Sequence, residues 1–248
     1  MKKEVKNILF LSILFLLLFE SGCMSPADEY FRLGIEKFKD ADYWSAVNYF
    51  NKSIEADSSH ADSYLYMGKA QRELNFLRSA SENYSKAVSF DPEKSEAYLD
   101  RGMVNLTLKN YDQAIEDFTY AINLDSGMIQ AFLGRAYIND LKEKYEKAID
   151  DYSSALMLDL MNVKAYFNRG IARSRIWDRD GAIRDFTKVT ELNPWNEEAY
   201  FHIANEYFFA EEYLPAIKNY SKAVEIEKDF LDAYFMRGEA KRKLKLKI

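Results

Sequence analysis

From Ala27 onward the chain repeats one hydrophobic pattern every 34 residues without insertion, in rows that begin at Ala27, Ala61, Ser95, Ile129, Val163, Glu197 and Leu231. The fourth position of each row is aromatic (Tyr30, Tyr64, Tyr98, Phe132, Tyr166, Tyr200, Tyr234), and so is the twenty-fourth (Phe50, Tyr84, Phe118, Tyr152, Phe186, Tyr220). The eighth is small (Gly34, Gly68, Gly102, Ala136, Gly170, Ala204, Gly238), and the twentieth is alanine from Ala46 through Ala216. Each row divides into two apolar stripes of helical spacing, for example Tyr98, Gly102 and Leu106, then Ala114, Phe118, Ala121 and Ile122, with the polar turn Asn110-Tyr111-Asp112 between them. Two helices per row follow. Pro92 and Pro194 end the second helix of their rows. Small residues at positions eight and twenty let the two helices approach, and the aromatics fill the space beside that contact.

One such hairpin cannot bury both of its apolar faces, and stacking neighbours bury them. The expected fold is an all-α solenoid of six hairpins (27–60, 61–94, 95–128, 129–162, 163–196 and 197–230) with a capping helix at 231–248. That last segment can form only a first helix covering row six. Its basic end, Lys241 to Ile248, is expected to supply the polar outer face a terminal repeat needs. No polar helix precedes Ala27, so the first hairpin is expected to be shielded by a membrane or a partner.

The period and these residue types resemble the tetratricopeptide repeat family, and the resemblance covers 222 of the 248 residues. It implies a right-handed solenoid whose first helices line a concave groove through positions two, five, nine and twelve. On that basis Phe31, Ile35, Leu99, Met103, Leu133, Tyr137, Phe167, Ile171 and Phe201 are the expected partner-binding residues, with Lys69, Arg72, Asp140 and Asn205 interrupting the apolar stripe. Such a groove suits an apolar or amphipathic peptide segment. The fifth-position residues can equally pack against the neighbouring helix. The family's clamp for a chaperone tail uses Lys and Asn on the first concave helix; Phe31 and Ile35 stand there, which sets that mode aside.

Comparing rows with one another exposes a pairing. Position seven is arginine in rows three to five (Arg101, Arg135, Arg169), and position twenty-three is aspartate in the same rows (Asp117, Asp151, Asp185). Rows one, two and six carry Leu33, Met67 and Ile203 with Tyr49, Asn83 and Asn219 instead. The charges come and go together, which predicts three structural Arg–Asp pairs between the two helices of a hairpin. Arg237 in the last helix has no matching aspartate.

Ahead of the repeats, Lys2, Lys3 and Lys6 precede twelve residues, Ile8 to Phe19, of which only Ser12 is polar. The run is short for a membrane-spanning helix, which needs about 20 residues, and fits a secretory signal of residues 1–22. The chain's one cysteine, Cys23, follows Ser21-Gly22. This resembles the bacterial lipoprotein signal, in which small residues precede a cysteine that is cleaved and lipidated; Glu20 departs from its usual apolar residue. Residues 23–26 would be a short tether. Met24 rather than Asp after the lipidated cysteine points, by resemblance to the enteric sorting pattern, to the outer membrane facing the periplasm.

Composition removes other classes. A single cysteine excludes a disulfide framework and a cysteine-based zinc cluster. A net charge of −6 offers no general attraction for nucleic acid. His60, at a row junction, and His202, on a first helix, have no nucleophile at a useful spacing, and no glycine-rich phosphate loop or metal-ligand cluster is present in the sequence. Asp150 and Asp151 are adjacent on a helix and point apart. The sequence thus predicts a non-catalytic, cofactor-free, membrane-tethered adaptor of the bacterial cell envelope that holds a protein or peptide segment in its groove. Repeat-built lipoproteins that assist pilus secretin assembly or recruit peptidoglycan hydrolases share that architecture. The runner-up is a ligand-binding accessory lipoprotein of an envelope transport system. A closed apolar cavity at Leu99, Met103, Leu133 and Tyr137 would favour that reading; an open channel would favour a peptide.

Overall fold

The computed structural model describes residues 24–247. The expected signal segment 1–22 and the lipidation site Cys23 lie outside the described residues. Thirteen helices make up the described chain: α1 (Pro26–Lys39), α2 (Tyr43–Ala56), α3 (Ala61–Glu73), α4 (Leu77–Phe90), α5 (Ser95–Thr107), α6 (Tyr111–Leu124), α7 (Ile129–Leu141), α8 (Tyr145–Leu158), α9 (Val163–Arg175), α10 (Arg179–Leu192), α11 (Glu197–Phe209), α12 (Tyr213–Ile226) and α13 (Leu231–Lys247). Successive helices pack on one another, as α1 on α2 and α2 on α3, and as α8 on α9 and α12 on α13. The fold class is an all-α solenoid, and its packing resolves into two compact units, one ending at Ala97 and the other beginning at Tyr98.

Local chemistry sets the helix ends. Side chains of Ser25, Asp42, His60, Asn162, Asp178 and Asn196 accept from a backbone N–H in the first turn that follows. The turn inside every hairpin bends at row position fifteen, where Ala41, Asn75, Lys109, Glu143, Trp177 and Glu211 adopt φ between 56° and 64°. The following N–H closes each turn on a carbonyl five residues back, as Asp178 does on Arg173 at 2.9 Å. Glycine normally takes this left-handed position because side chains are strained there. Here six other residues hold it, each stabilised by that closing bond.

The hairpin contact repeats one device. A β-carbon on Gly34, Gly68, Gly102 or Gly170 would lie 2.5–2.8 Å from the ring at position twenty-four of the same row, respectively Phe50, Tyr84, Phe118 and Phe186. The missing side chain is therefore the socket for the ring. These four rings are 0% exposed. Fifth-position aromatics flank the position-twenty-four rings, with centroids 5.8 Å apart for Phe31–Phe50, 5.6 Å for Phe167–Phe186 and 5.7 Å for Phe201–Tyr220.

The arginines and aspartates that covary between rows meet in the structure. Arg101 donates to Asp117 through Nε at 3.0 Å and Nη2 at 2.6 Å. Arg135 reaches Asp151 at 2.9 and 2.7 Å, and Arg169 reaches Asp185 at the same two distances. Two of the aspartates have further support: Asn105 donates to Asp117 and Arg173 to Asp185. Burial nevertheless pushes the Asp117 carboxyl above its ordinary value, against the pull of Arg101 and Asn105. Arg237 lies over the Tyr234 ring at 5.0 Å, as Arg101 and Arg169 lie over Tyr98 and Tyr166 at 5.5 Å.

Between rows one and two a polar contact replaces an alanine contact. Ser53 and Ser63 stand where most other rows have alanine, and Ser63 donates to Ser53 at 2.7 Å while Ser53 donates to the Ala27 carbonyl at 2.7 Å. Both serines are fully buried. The last helix runs through Lys247, close to the expected 231–248, and differs from expectation in one way. Its outer face is not polar throughout, because Leu231 and Phe235 are 77% and 69% exposed.

Candidate functional site

The first helices of rows three to five enclose a cavity of about 320 Å³. Met103 and Leu106 of α5, Leu133, Gly134 and Tyr137 of α7, and Tyr152 of α8 form its apolar walls; Gln130, Lys164 and Asn168 supply amide and cationic groups at its edge. The cavity is open, since Met103 and Tyr137 are 39% and 47% exposed. Tyr152 also donates to Asp140 at 3.2 Å, and burial raises the Asp140 carboxyl above its ordinary value. The second carboxylate oxygen of Asp140 is buried with no hydrogen-bond partner.

Of the nine residues expected to line a groove, the structure brings Met103, Leu133 and Tyr137 together here. Five others make packing contacts, four of them at position five, where the sequence leaves packing against the neighbouring helix as the alternative. Phe31 and Ile35 lie against the Ala46–Phe50–Ala70 core. Leu99 packs on the Ala114–Phe118–Ala131 core, Phe167 on Phe186, and Phe201 on Tyr220 and Phe230. Phe31, Leu99, Phe167 and Phe201 at position five lie beside the buried ring at position twenty-four and help close the gap between rows, and Ile35 at position nine packs on the same core as Phe31.

Ile171, the ninth expected residue, lines a second and larger cavity of about 590 Å³, with Ser174, Arg175 and Trp177 of row five and His202, Asn205, Glu206 and Phe209 of row six. Trp177 and Phe209 are 88% and 71% exposed. Trp177 is also the bulkiest of the residues held at positive φ. Its functional placement escaped the repeat pattern because position fifteen varies freely from row to row. Arg179, at the cavity edge, is engaged by Glu212 at 3.0 Å, and Ser174 donates to Glu206.

His202 lies flat on Phe186 with ring centroids 4.9 Å apart. Burial, and then the Arg175 guanidinium, hold its imidazole below the ordinary value of 6.5. The unfolded chain therefore binds a proton that the folded chain refuses. The resulting stability is complete above pH about 6.5 and is lost as pH falls through the lowered folded value. Thermal melting followed from pH 8 to pH 5 should fall in that window, and His202→Asn should flatten the slope; an unchanged slope would disprove this role.

His60 is part of an Asp–His–Ser geometry. Asp28 Oδ1 lies 3.3 Å from Nε2, and Ser63 Oγ lies 2.9 Å from Nδ1. Nδ1 also accepts the Ser63 N–H, which caps α3, and the Ser63 hydroxyl is fully buried against Ser53. The arrangement clasps α1, α2 and α3 together and presents no accessible nucleophile. No group of three or more His, Cys, Asp or Glu residues placed to hold a metal occurs among the described residues. Among them, no helix is long and apolar enough to cross a membrane.

Comparison with known proteins agrees with this geometry. Residues 65–129 and 197–230 each match a family model described as tetratricopeptide repeat. No curated protein matches the chain in sequence. Among solved structures, MamA aligns with a TM-score of 0.64 at 25% identity, covering 68% of this chain and 93% of that one. YrrB, described as a tetratricopeptide protein with an unusual peptide-binding site, aligns at 0.71 and 24% identity, covering 76% and 97%. PilF of Pseudomonas aeruginosa aligns at 0.67 and 16% identity, covering 86% and 97%. With repeat matches in both units and the socketed hairpin recurring from row to row, the chain is a tetratricopeptide-repeat protein.

Proposed function

We propose that the chain is a non-catalytic scaffold that holds an amphipathic segment of a partner protein on the first-helix face of its second unit. The observation that carries this reading is the open cavity walled by Met103, Leu133 and Tyr137. An apolar side chain of the partner would enter it, and an acidic group beside that anchor would meet Lys164 or, further along, Arg175. That YrrB shares the fold and is described as having a peptide-binding site supports the same use. The runner-up, a small-molecule accessory, needed a closed cavity including Leu99; Leu99 packs inward and the cavity is open.

We place the scaffold at the bacterial envelope, tethered through lipid on Cys23 and facing the periplasm from the outer membrane. The basic start, the twelve-residue apolar run and the Ser21-Gly22-Cys23 sequence support this. Metabolic labelling with a fatty-acid analogue should be abolished by Cys23→Ser, and persistent labelling would reject the anchor.

Peptides selected on the wild-type chain from a displayed library test the groove. They should share an apolar residue close to an acidic one, and Met103→Asp with Tyr137→Asp should weaken them roughly tenfold or more. Both side chains are well exposed, so the variant should fold. Peptides held equally by the variant would sink the reading.

A further inference from the structure

The last described helix is a first helix with no second helix packed on it among the described residues. Among the described residues, a β-carbon on Gly238 would meet nothing within 4 Å, whereas the equivalent glycines of rows one, two, three and five are each occupied by a ring. The neighbours of the vacant socket are exposed in step with it: Tyr234, which stacks in row three as Tyr98 on Tyr120, is 42% exposed, and Phe235 is 69% exposed. Arg237 stands at position seven, where rows three to five grip an aspartate. Lys241 stands at position eleven, where Arg173 of row five grips the same aspartate as Arg169 does.

We propose that this face of α13, formed by Tyr234, Phe235, Arg237, Gly238 and Lys241, docks a helix from a partner protein, and that the helix carries an acidic residue followed directly by Phe or Tyr. The chain itself shows what fits. In rows three to five the helix that meets such a face reads small–x–x–Asp–aromatic–x–x–small: Ala114, Asp117, Phe118 and Ala121; Ala148, Asp151, Tyr152 and Ala155; Ala182, Asp185, Phe186 and Val189. The aromatic ring enters at Gly238 beside Phe235. The acid lies between Arg237 and Lys241, whose charges have no counterpart on α13 at that point. This site is separate from the groove on the first-helix face.

The probe is the sequence of residues 111–124, made as a peptide with a hydrocarbon staple across positions 112 and 116, which are exposed in the chain. The staple removes the uncertainty of helix formation in so short a peptide. Titrated into the full chain, the probe should bind. Gly238→Leu, which fills the socket and has open space in the free protein, should weaken it roughly tenfold or more, as should Arg237→Glu. A probe with arginine at the Asp117 position should prefer the Arg237→Glu chain to the wild type. Circular dichroism melts should show both variants folded, since both sites lie at the helix surface.

Three results would overturn the proposal. The probe does not bind. It binds the Gly238→Leu chain equally well, which would mean that it exchanges with α6 elsewhere. Or the wild type self-associates through this face and Gly238→Leu abolishes that, which would make the occupant a second copy.

Discussion

Replacing Asp185 by alanine is expected to lower the unfolding free energy of the second unit by about 3–5 kcal/mol. The carboxylate is 3% exposed and accepts from Arg169 at 2.9 and 2.7 Å and from Arg173 at 2.8 Å. Both guanidinium side chains are largely shielded, at 14% and 19% exposure. Removing the acid strands one of them beside the other, and the penalty is that of unpaired charge in a poorly solvated place. The pair itself need not be strongly stabilising, because desolvation offsets much of the attraction. Row six makes this testable, since it holds Ile203 and Asn219 at the same two positions and folds. Arg169→Ile combined with Asp185→Asn should therefore recover most of the loss, with Arg173 retaining Asp178 as a partner at 3.5 Å. Urea denaturation followed by helix signal gives the global loss, and in a Trp44→Phe background the fluorescence of Trp177 and Trp195 reports on row five itself. Because repeats unfold as coupled neighbours, the two signals should separate in Asp185→Ala. A loss under about 1 kcal/mol would mean that water already screens the cluster.

Phe118→Ala should cost a similar amount, about 3–5 kcal/mol. The ring is fully buried between two glycines of different helices: a β-carbon on Gly102 would lie 2.8 Å from it, and one on Gly134 2.6 Å from it. The cavity left behind is bordered by glycine on two sides, where no side chain is present to move in. That places the cost in the upper part of the range for phenylalanine truncation. Gly134→Leu alone should also destabilise, by overpacking against the ring. In the Phe118→Ala background the same substitution refills the space and should restore part of the stability. The double-mutant cycle measures this coupling directly; simple additivity of the two losses would show that ring and glycine do not share the space.

The hairpins and the three Arg–Asp pairs were legible because each is written within one row, whereas the turn expected at Asn110-Tyr111-Asp112 lies earlier, since α6 begins at Tyr111 and the bend is made at Lys109. A pattern repeated six times averages away the accidents of any single row, and sixteen residues of separation place positions seven and twenty-three across a single turn. The cavities were not legible in the same way. Leu65 and Phe235 occupy the same row position and are 1% and 69% exposed. Leu99 and Leu133 are the same residue at the same position, yet only Leu133 lines the open cavity. What differs is the adjacent packing: whether the ring and helix that should cover the position are present, and how bulky they are. Trp177 was missed for a related reason, because position fifteen is set by backbone geometry and its side chain is free of the repeat.

By itself the amino-acid sequence determined that this protein is a stack of helix pairs that meet at small residues flanked by aromatics and carry three Arg–Asp pairs, since those depend on spacing along one segment of chain. Only the tertiary structure decided which apolar residues are covered and which remain open, at Met103 and Tyr137, at Trp177 and Phe209, and at Gly238. Exposure belongs to the neighbourhood of a residue, and that neighbourhood is assembled from helices distant in the chain.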